Sequence, residues 1–361
     1  MKTPFGILAA ALLAVAGCGQ TWNIISGGYR FDFQGEQAQR TESGAVLPDT
    51  SMVVVENQFG KVRIEPVGDD EPRWEWNLTV WGTTAEDAQA YLEQVQLAYQ
   101  AEEGRAAWRL ELPEPPVDEL RGVQSDLTLH VPEHVEVELK NAHGDSELKQ
   151  LSGSIRLNAR HGNATLEDLA GHVVVDHEHG NVTAARLRTA EIANRHGAIE
   201  AGEVSAGLKI DSAHGTTTVE QIGGALNFTG SHAGISANQV DGDVDLETAH
   251  ADVLVDRVAG SARLRNAHGS IEARGVNGPL DVENEHGSIL LDSPSPEVEC
   301  RGRHSRMEIV VTNADVRGVL AEGVHSSLEV TLPPTVEHPI LATAAHGRVR
   351  SDFPTTEDAD G

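Results

Sequence analysis

Cysteine is nearly missing from the 361-residue chain, which has only Cys18 and Cys300. With Cys18 engaged elsewhere no internal disulfide can form, so stability has to come from packing and backbone hydrogen bonds. Basic residues are also scarce: 27 Lys and Arg face 56 Asp and Glu, a formal charge of −29. Such a surface neutralises no phosphate backbone, so nucleic acid is excluded as a general partner. It is also repelled by an anionic bilayer unless an anchor holds it there. Aromatics are only 4% of the chain, against 36 glycines. That favours a thin, regularly stacked β structure of Val, Ile, Leu and Ala over a bulky globular core. After residue 18 no run approaches the roughly 18 consecutive apolar residues of a membrane-spanning helix. No G-x-S-x-G, P-loop or Cys-His pair occurs, and no cluster of Asp, Arg and Lys stands apart, so neither an enzyme nor a cofactor is expected.

The first 18 residues supply an anchor. MKTPFGILAAALLAVAGC carries Lys2, an apolar run from Phe5 to Ala16 and small residues before a cysteine, a secretory signal too short to cross a bilayer. Val15-Ala16-Gly17-Cys18 resembles the bacterial lipobox. The resemblance implies cleavage before Cys18 and its lipidation with palmitate-type chains, two or more of which hold a protein stably on a membrane. Gly19 in place of aspartate implies the outer membrane of a Gram-negative envelope.

What the chain has in plenty is a repeat. Histidines followed by a glycine or other small residue recur at His143, His161, His179, His196, His214, His232, His250, His268, His286, His304, His325 and His346. Their spacings are 18, 18, 17, 18, 18, 18, 18, 18, 18, 21 and 21, and they use 12 of the 17 histidines. Counting each histidine as zero, positions 3 and 5 are apolar or small (Ile271 and Ala273, Ile289 and Leu291). Positions 12 and 14 are more strongly apolar (Ile155 and Leu157, Leu208 and Ile210). Two short period-two runs per unit mean two short strands. Position 8 adds an apolar residue (Leu151, Leu169, Val258). Position 10 is often glycine (Gly153, Gly171, Gly242), where a left-handed corner is expected. A unit of 18 residues cannot close a core alone, but stacked on its neighbours it can, as a single-stranded parallel β-solenoid of about 12 rungs. At about 4.8 Å per rung, such a rod would be roughly 55 Å long, with polar columns facing outward.

Two residues before the histidine stand Asn141, Asn194, Ser212, Thr248, Asn266 and Asn284. Polar side chains stacked at one corner can hydrogen-bond along the rod, so the twelve histidines are assigned as a structural ladder. Imidazole suits Zn, Cu or Ni, but a closed zinc site needs a tetrahedron and a straight column supplies ligands in a line, so no metal site is assigned. A histidine-ladder metal binder is an alternative, as is a pH sensor in which protonated imidazoles repel. Asp241, Asp243 and Asp245 resemble the start of an EF-hand loop. However, Leu246 and Asp252 stand where its glycine and glutamate belong, so no calcium is expected. A carbohydrate-active enzyme with paired carboxylates on one face is the other alternative.

Residues 19–50 read as a tether. Residues 51–140 read as a capping region. There Asn57-Gln58-Phe59-Gly60 repeats the corner motif with Phe for His, and RWEWNLTVWG alternates as a strand. Ala88, Tyr91, Leu92 and Val95 behind Thr83 or Thr84 predict one helix near 84–100. A cap of this kind hides the edge and apolar end of a solenoid. Repeats fill 141–350, and Pro333, Pro334 and Pro339 mark their termination. Residues 351–361 read as a disordered tail. Over residues 51–350 the order strand, N-x-x-G corner, strand pair, helix, LTLHVPEHVEVELKNAHGD and then alternating rungs is similar to the bacterial DUF4097 family, adhesin-labelled proteins related to DUF2807. The resemblance implies a β-solenoid in an adhesive or envelope role. The resulting expectation is a non-enzymatic cell-envelope protein, held to the membrane through Cys18 and offering long flat faces to an envelope protein or polysaccharide.

Overall fold

The computed structural model describes residues 24–26, 29–31, 33–68, 70–114, 119–336 and 340–346. The signal segment with Cys18, Pro339 and the tail 351–361 lie outside them. The chain divides into two compact units, residues 1–194 and 195–361. Each is built from parallel strands stacked turn on turn, and the described strands make a β-solenoid of about 11 turns in all.

In the first unit the parallel stack runs from Arg105–Glu111 onto Met52–Phe59. The latter pairs with Glu136–His143, which pairs with Ile155–His161, which pairs with Ala164–His179. Val53, Val137, Ile155 and Val173 thereby form one inward column, and Phe59, His143, His161 and His179 a corner column. The other leg aligns Ile64, Leu148 and Leu166. Alternation places every second side chain inside, and Val and Ile favour the extended backbone this requires.

The cap of this unit is antiparallel. Glu36–Ala45 pairs with Arg73–Gly82, which pairs with Leu120–Val131, and Gln96–Glu102 forms a hairpin with Arg105–Glu111. Trp74, Trp76, Trp81 and Trp108 are buried here. The helix is shorter than the sequence predicts: it spans Ala85–Leu92, starts in a reciprocal capping box between Thr84 and Asp87, and buries Ala88, Tyr91 and Leu92. Gln96–Glu102, expected to continue it, is a strand. Gly104 at φ +73 turns the chain back, and Tyr99 stacks on Trp108 at 5.0 Å. Cross-strand packing decides the outcome, because LAYQAE fits period two as well as period 3.6. Arg40 donates to the carbonyls of Leu92 and Val95 at the helix end and lies over the Trp76 ring at 5.0 Å.

In the second unit one inward column runs Ile210, Phe228, Leu246, Leu264, Val282, Cys300. Another runs Val219, Ala237, Val255, Ala273, Leu291. Cys300 is therefore a core residue, its thiol pushed up to about 12 by burial and, less, by Asp281.

The bends differ from expectation in one respect. The glycines at position 10 are not left-handed; they are glycine because successive turns nearly touch. A Cβ on Gly171 would lie 1.9 Å from the Gly153 carbonyl oxygen, and one on Gly224 would lie 1.6 Å from that of Ala206. The left-handed residue sits three positions earlier and is mostly not glycine. It is Gln150, Asp168 and Arg186 in the first unit and Glu203, Gln221, Gln239, Arg257 and, as the one glycine among them, Gly275 in the second, with φ from 54° to 63°.

Candidate functional site

In several turns the corner is built first by a buried polar residue two before the histidine that bonds to the turn behind; Ala159 cannot, and the buried Ser212 hydroxyl has no partner among the described residues. In the first unit Asn141 Nδ2 donates to the Gly60 carbonyl at 3.2 Å and Asn194 Nδ2 to that of Gly180 at 3.0 Å. His177 holds the same place in one turn, its Nε2 3.0 Å from the Gly162 oxygen and its Nδ1 3.1 Å from Asn194 Oδ1. In the second unit Thr248, Asn266 and Asn284 donate to the carbonyls of Ala233, Ala251 and Gly269 at 3.1, 2.8 and 2.9 Å. A short polar side chain can thus satisfy a carbonyl that the turn leaves unpaired.

The marker histidines stack outside this layer. In the first unit the rings of Phe59, His143, His161 and His179 follow one another at 5.2, 4.7 and 4.9 Å, within 10° of parallel. In the second the rings from His196 to His346 follow at 4.5–5.2 Å. The pairs His196–His214 and His268–His286 are within 3° of parallel, whereas His214–His232, His232–His250 and His250–His268 are tilted by 29°, 32° and 33°. His143 is buried and the other eleven are exposed. Burial, with help from the positive charge on His161 and Arg160, lowers the pKa of His143 to about 4. Burial and then His179 lower that of His161.

Among the described residues no three His, Cys, Asp or Glu side chains are grouped so that they could hold one metal ion. Asp243, from the EF-hand-like triplet, accepts from the backbone N and the Oγ of Ser261 at 2.8 and 2.7 Å. Asp252 accepts likewise from Ser270 at 2.8 and 2.6 Å. These bonds lower both carboxyls and pin each turn to the next.

Outward charges also pair across turns. Burial works against ionisation of Glu147, but hydrogen bonds from Lys149, Lys61 and Arg63 bring its carboxyl to about 2. Arg186 binds Asp168 and Glu167, and Arg301 binds Glu299 and Glu322. The column that sequence reasoning misses is position 7, the left-handed one. Its signal is a polar residue or glycine, from Gln150 to Gly275, between apolar positions 5 and 8. In the second unit Glu203, Gln221 and Gln239 from this column line a depression of about 310 Å³.

No family model matches the chain, and no curated protein matches it. The resemblance to DUF4097 thus rests on the sequence motifs. Among solved structures the chain is similar to a "putative cell adhesion protein" from Clostridium sporogenes, at 10% identity and a TM-score of 0.31, covering 58% of this chain and 99% of that one. It is also similar to a "putative adhesin" from Parabacteroides distasonis, at 11% identity and a TM-score of 0.27, covering 85% of this chain and 95% of that one.

Proposed function

We propose that the protein is a non-enzymatic, lipid-anchored cell-envelope protein whose outward faces make adhesin-like contacts with an envelope protein or polysaccharide. The observation that carries this reading is the exposed column Asp211, Thr229, Glu247, Arg265 and Glu283, one residue per turn in unbroken register. Polar groups repeated at rung spacing offer many weak contacts to an extended polymer, and such contacts add through effective concentration. The anchor at Cys18 rests on the lipobox resemblance, and C18S should lose incorporation of a labelled fatty acid.

The test is a binding screen of the chain lacking residues 1–18 against envelope polysaccharides of graded length and isolated envelope proteins. Retention that strengthens with polymer length, or saturable binding to one envelope protein, is expected. Cleavage of a polysaccharide, or no binding to either class, overturns the proposal.

A further inference from the structure

We propose that the imidazole column His214, His232, His250 and His268 binds divalent transition-metal ions. Copper(II), nickel(II) or zinc(II) would each be held between rings of consecutive turns, with water completing the shell. This does not depend on the adhesive reading, because it uses the corner and not the flat faces.

Four observations converge on this stretch. The rings are exposed, and none of the ring nitrogens of His214, His232, His250 and His268 has a hydrogen-bond partner among the described residues. A neutral imidazole therefore presents an uncommitted lone pair. The approach is open on both flanks: Ala213, Ser231, Ala249 and Ala267 precede the rings, and Gly215, Ala233, Ala251 and Gly269 follow them. No neighbour in the chain larger than serine rises beside the column. Acidic side chains outnumber basic ones just beyond, with exposed Asp211, Glu247 and Asp252 against Arg265, which raises the local concentration of cations.

Geometry selects these four from the rest. Two nitrogens, each about 2.0–2.1 Å from one ion, cannot be more than roughly 4.2 Å apart. Parallel rings such as His268 and His286, with centroids 4.8 Å apart, keep equivalent nitrogens beyond that reach. The three pairs from His214 to His268 are tilted by 29–33° at 4.6–5.1 Å, so their rings already depart from the parallel stack. A modest further turn of exposed side chains brings two nitrogens onto one ion. With no third protein ligand grouped there, the sites are open and exchangeable, and their affinities follow the usual divalent order with copper strongest.

The test titrates the full chain, purified without a histidine tag, with copper(II) and nickel(II) at neutral pH, and uses electron paramagnetic resonance to count nitrogens on bound copper. Wild-type protein is expected to show two-nitrogen coordination. H232Q/H250Q, which breaks all three tilted pairs, should bind copper roughly tenfold more weakly and lose most of the two-nitrogen signal. H286Q/H304Q should keep both. Circular dichroism confirms that each variant is folded. Should H232Q/H250Q not fold, copper protection of His232 and His250 from diethylpyrocarbonate, mapped in the wild-type chain, decides the matter. Equal affinity and nitrogen count in wild type and H232Q/H250Q, single-nitrogen copper, or no protection of His232 and His250 overturns the proposal.

Discussion

A side chain in this protein answers to the residue one turn away as much as to its neighbours in the chain. Gly171 shows this for backbone clearance. Added methyl at that place meets the Gly153 carbonyl at 1.9 Å, so G171A should cost about 3 kcal/mol or force the two turns apart. Gly202 is the control, since the atom nearest to a Cβ there is 3.9 Å away; G202A should be neutral or stabilising by about 0.5 kcal/mol. Urea unfolding of the two variants separates close approach from a mere preference for glycine. His143 shows the same dependence for protonation. Its folded pKa lies near 4, below the ordinary 6.5, so the unfolded chain takes up a proton that the native state refuses. Stability is therefore whole above 6.5 and is lost as pH falls towards 4, by up to a few kcal/mol. Glu147, held at about 2, adds a loss that begins only below its ordinary 4.5. H143F puts an untitratable ring between Phe59 and His161. Its urea midpoint should gain on the wild type progressively between pH 7 and pH 4, and a constant difference would refute the assignment.

At the scale of elements, the strands of the repeat were legible because alternation and an 18-residue period specify both the face and the partner of each residue. Val253, Ile271 and Ile289 lie in one column for that reason. Phe59 was legible as a corner residue because its Asn-x-x-Gly frame survives the loss of histidine. The bends were less readable. Glycine at position 10 is compatible with either a left-handed backbone or a close approach, and only the distance to the previous turn decides. Arg186 and Gln221 at position 7 carry a left-handed backbone that neither residue announces by itself; only the recurrence of polar residues and glycine in that column does. The helix was overrun because Tyr99 satisfies a helical stripe but finds Trp108 across a hairpin. Long-range pairing settles that choice, and a local pattern contains no information about it. What the helix does have is its cap. T84A removes the side chain that accepts from Asp87 N, and should cost about 1 kcal/mol. Hydrogen exchange should quicken over Ala85–Leu92 and stay unchanged in the strands of the second unit.

At the scale of the molecule, stability in stacked turns is a sum of contributions from each turn and its nearest neighbours, so turns of equal length should be removable whole. The second unit allows a direct trial. Deleting Ala233–His250 removes one full turn, leaving His268 to follow His232 and Gly260 to lie over Gly224, both still glycine where the turns approach. Inward residues stay inward, because 18 is a whole turn and an even number. The side-chain bonds lost are those from Ser261 to Asp243, from Thr248 to Ala233 and from Arg257 to Asn238. The shortened protein should fold, keep the tryptophan fluorescence of the first unit, and melt within about 5 °C of the parent by circular dichroism. Deleting Gly242–His250 is the counterpart: nine residues carry the chain only halfway round, so the strand that begins at Val253 is carried onto the leg that Val244–His250 occupied. Its outward Leu254 and Asp256 then follow the histidine corner's register no longer, and the columns above and below lose their partners. That protein should aggregate or unfold without cooperativity in its second unit. If both deletions behave alike, the period is not what holds the turns together.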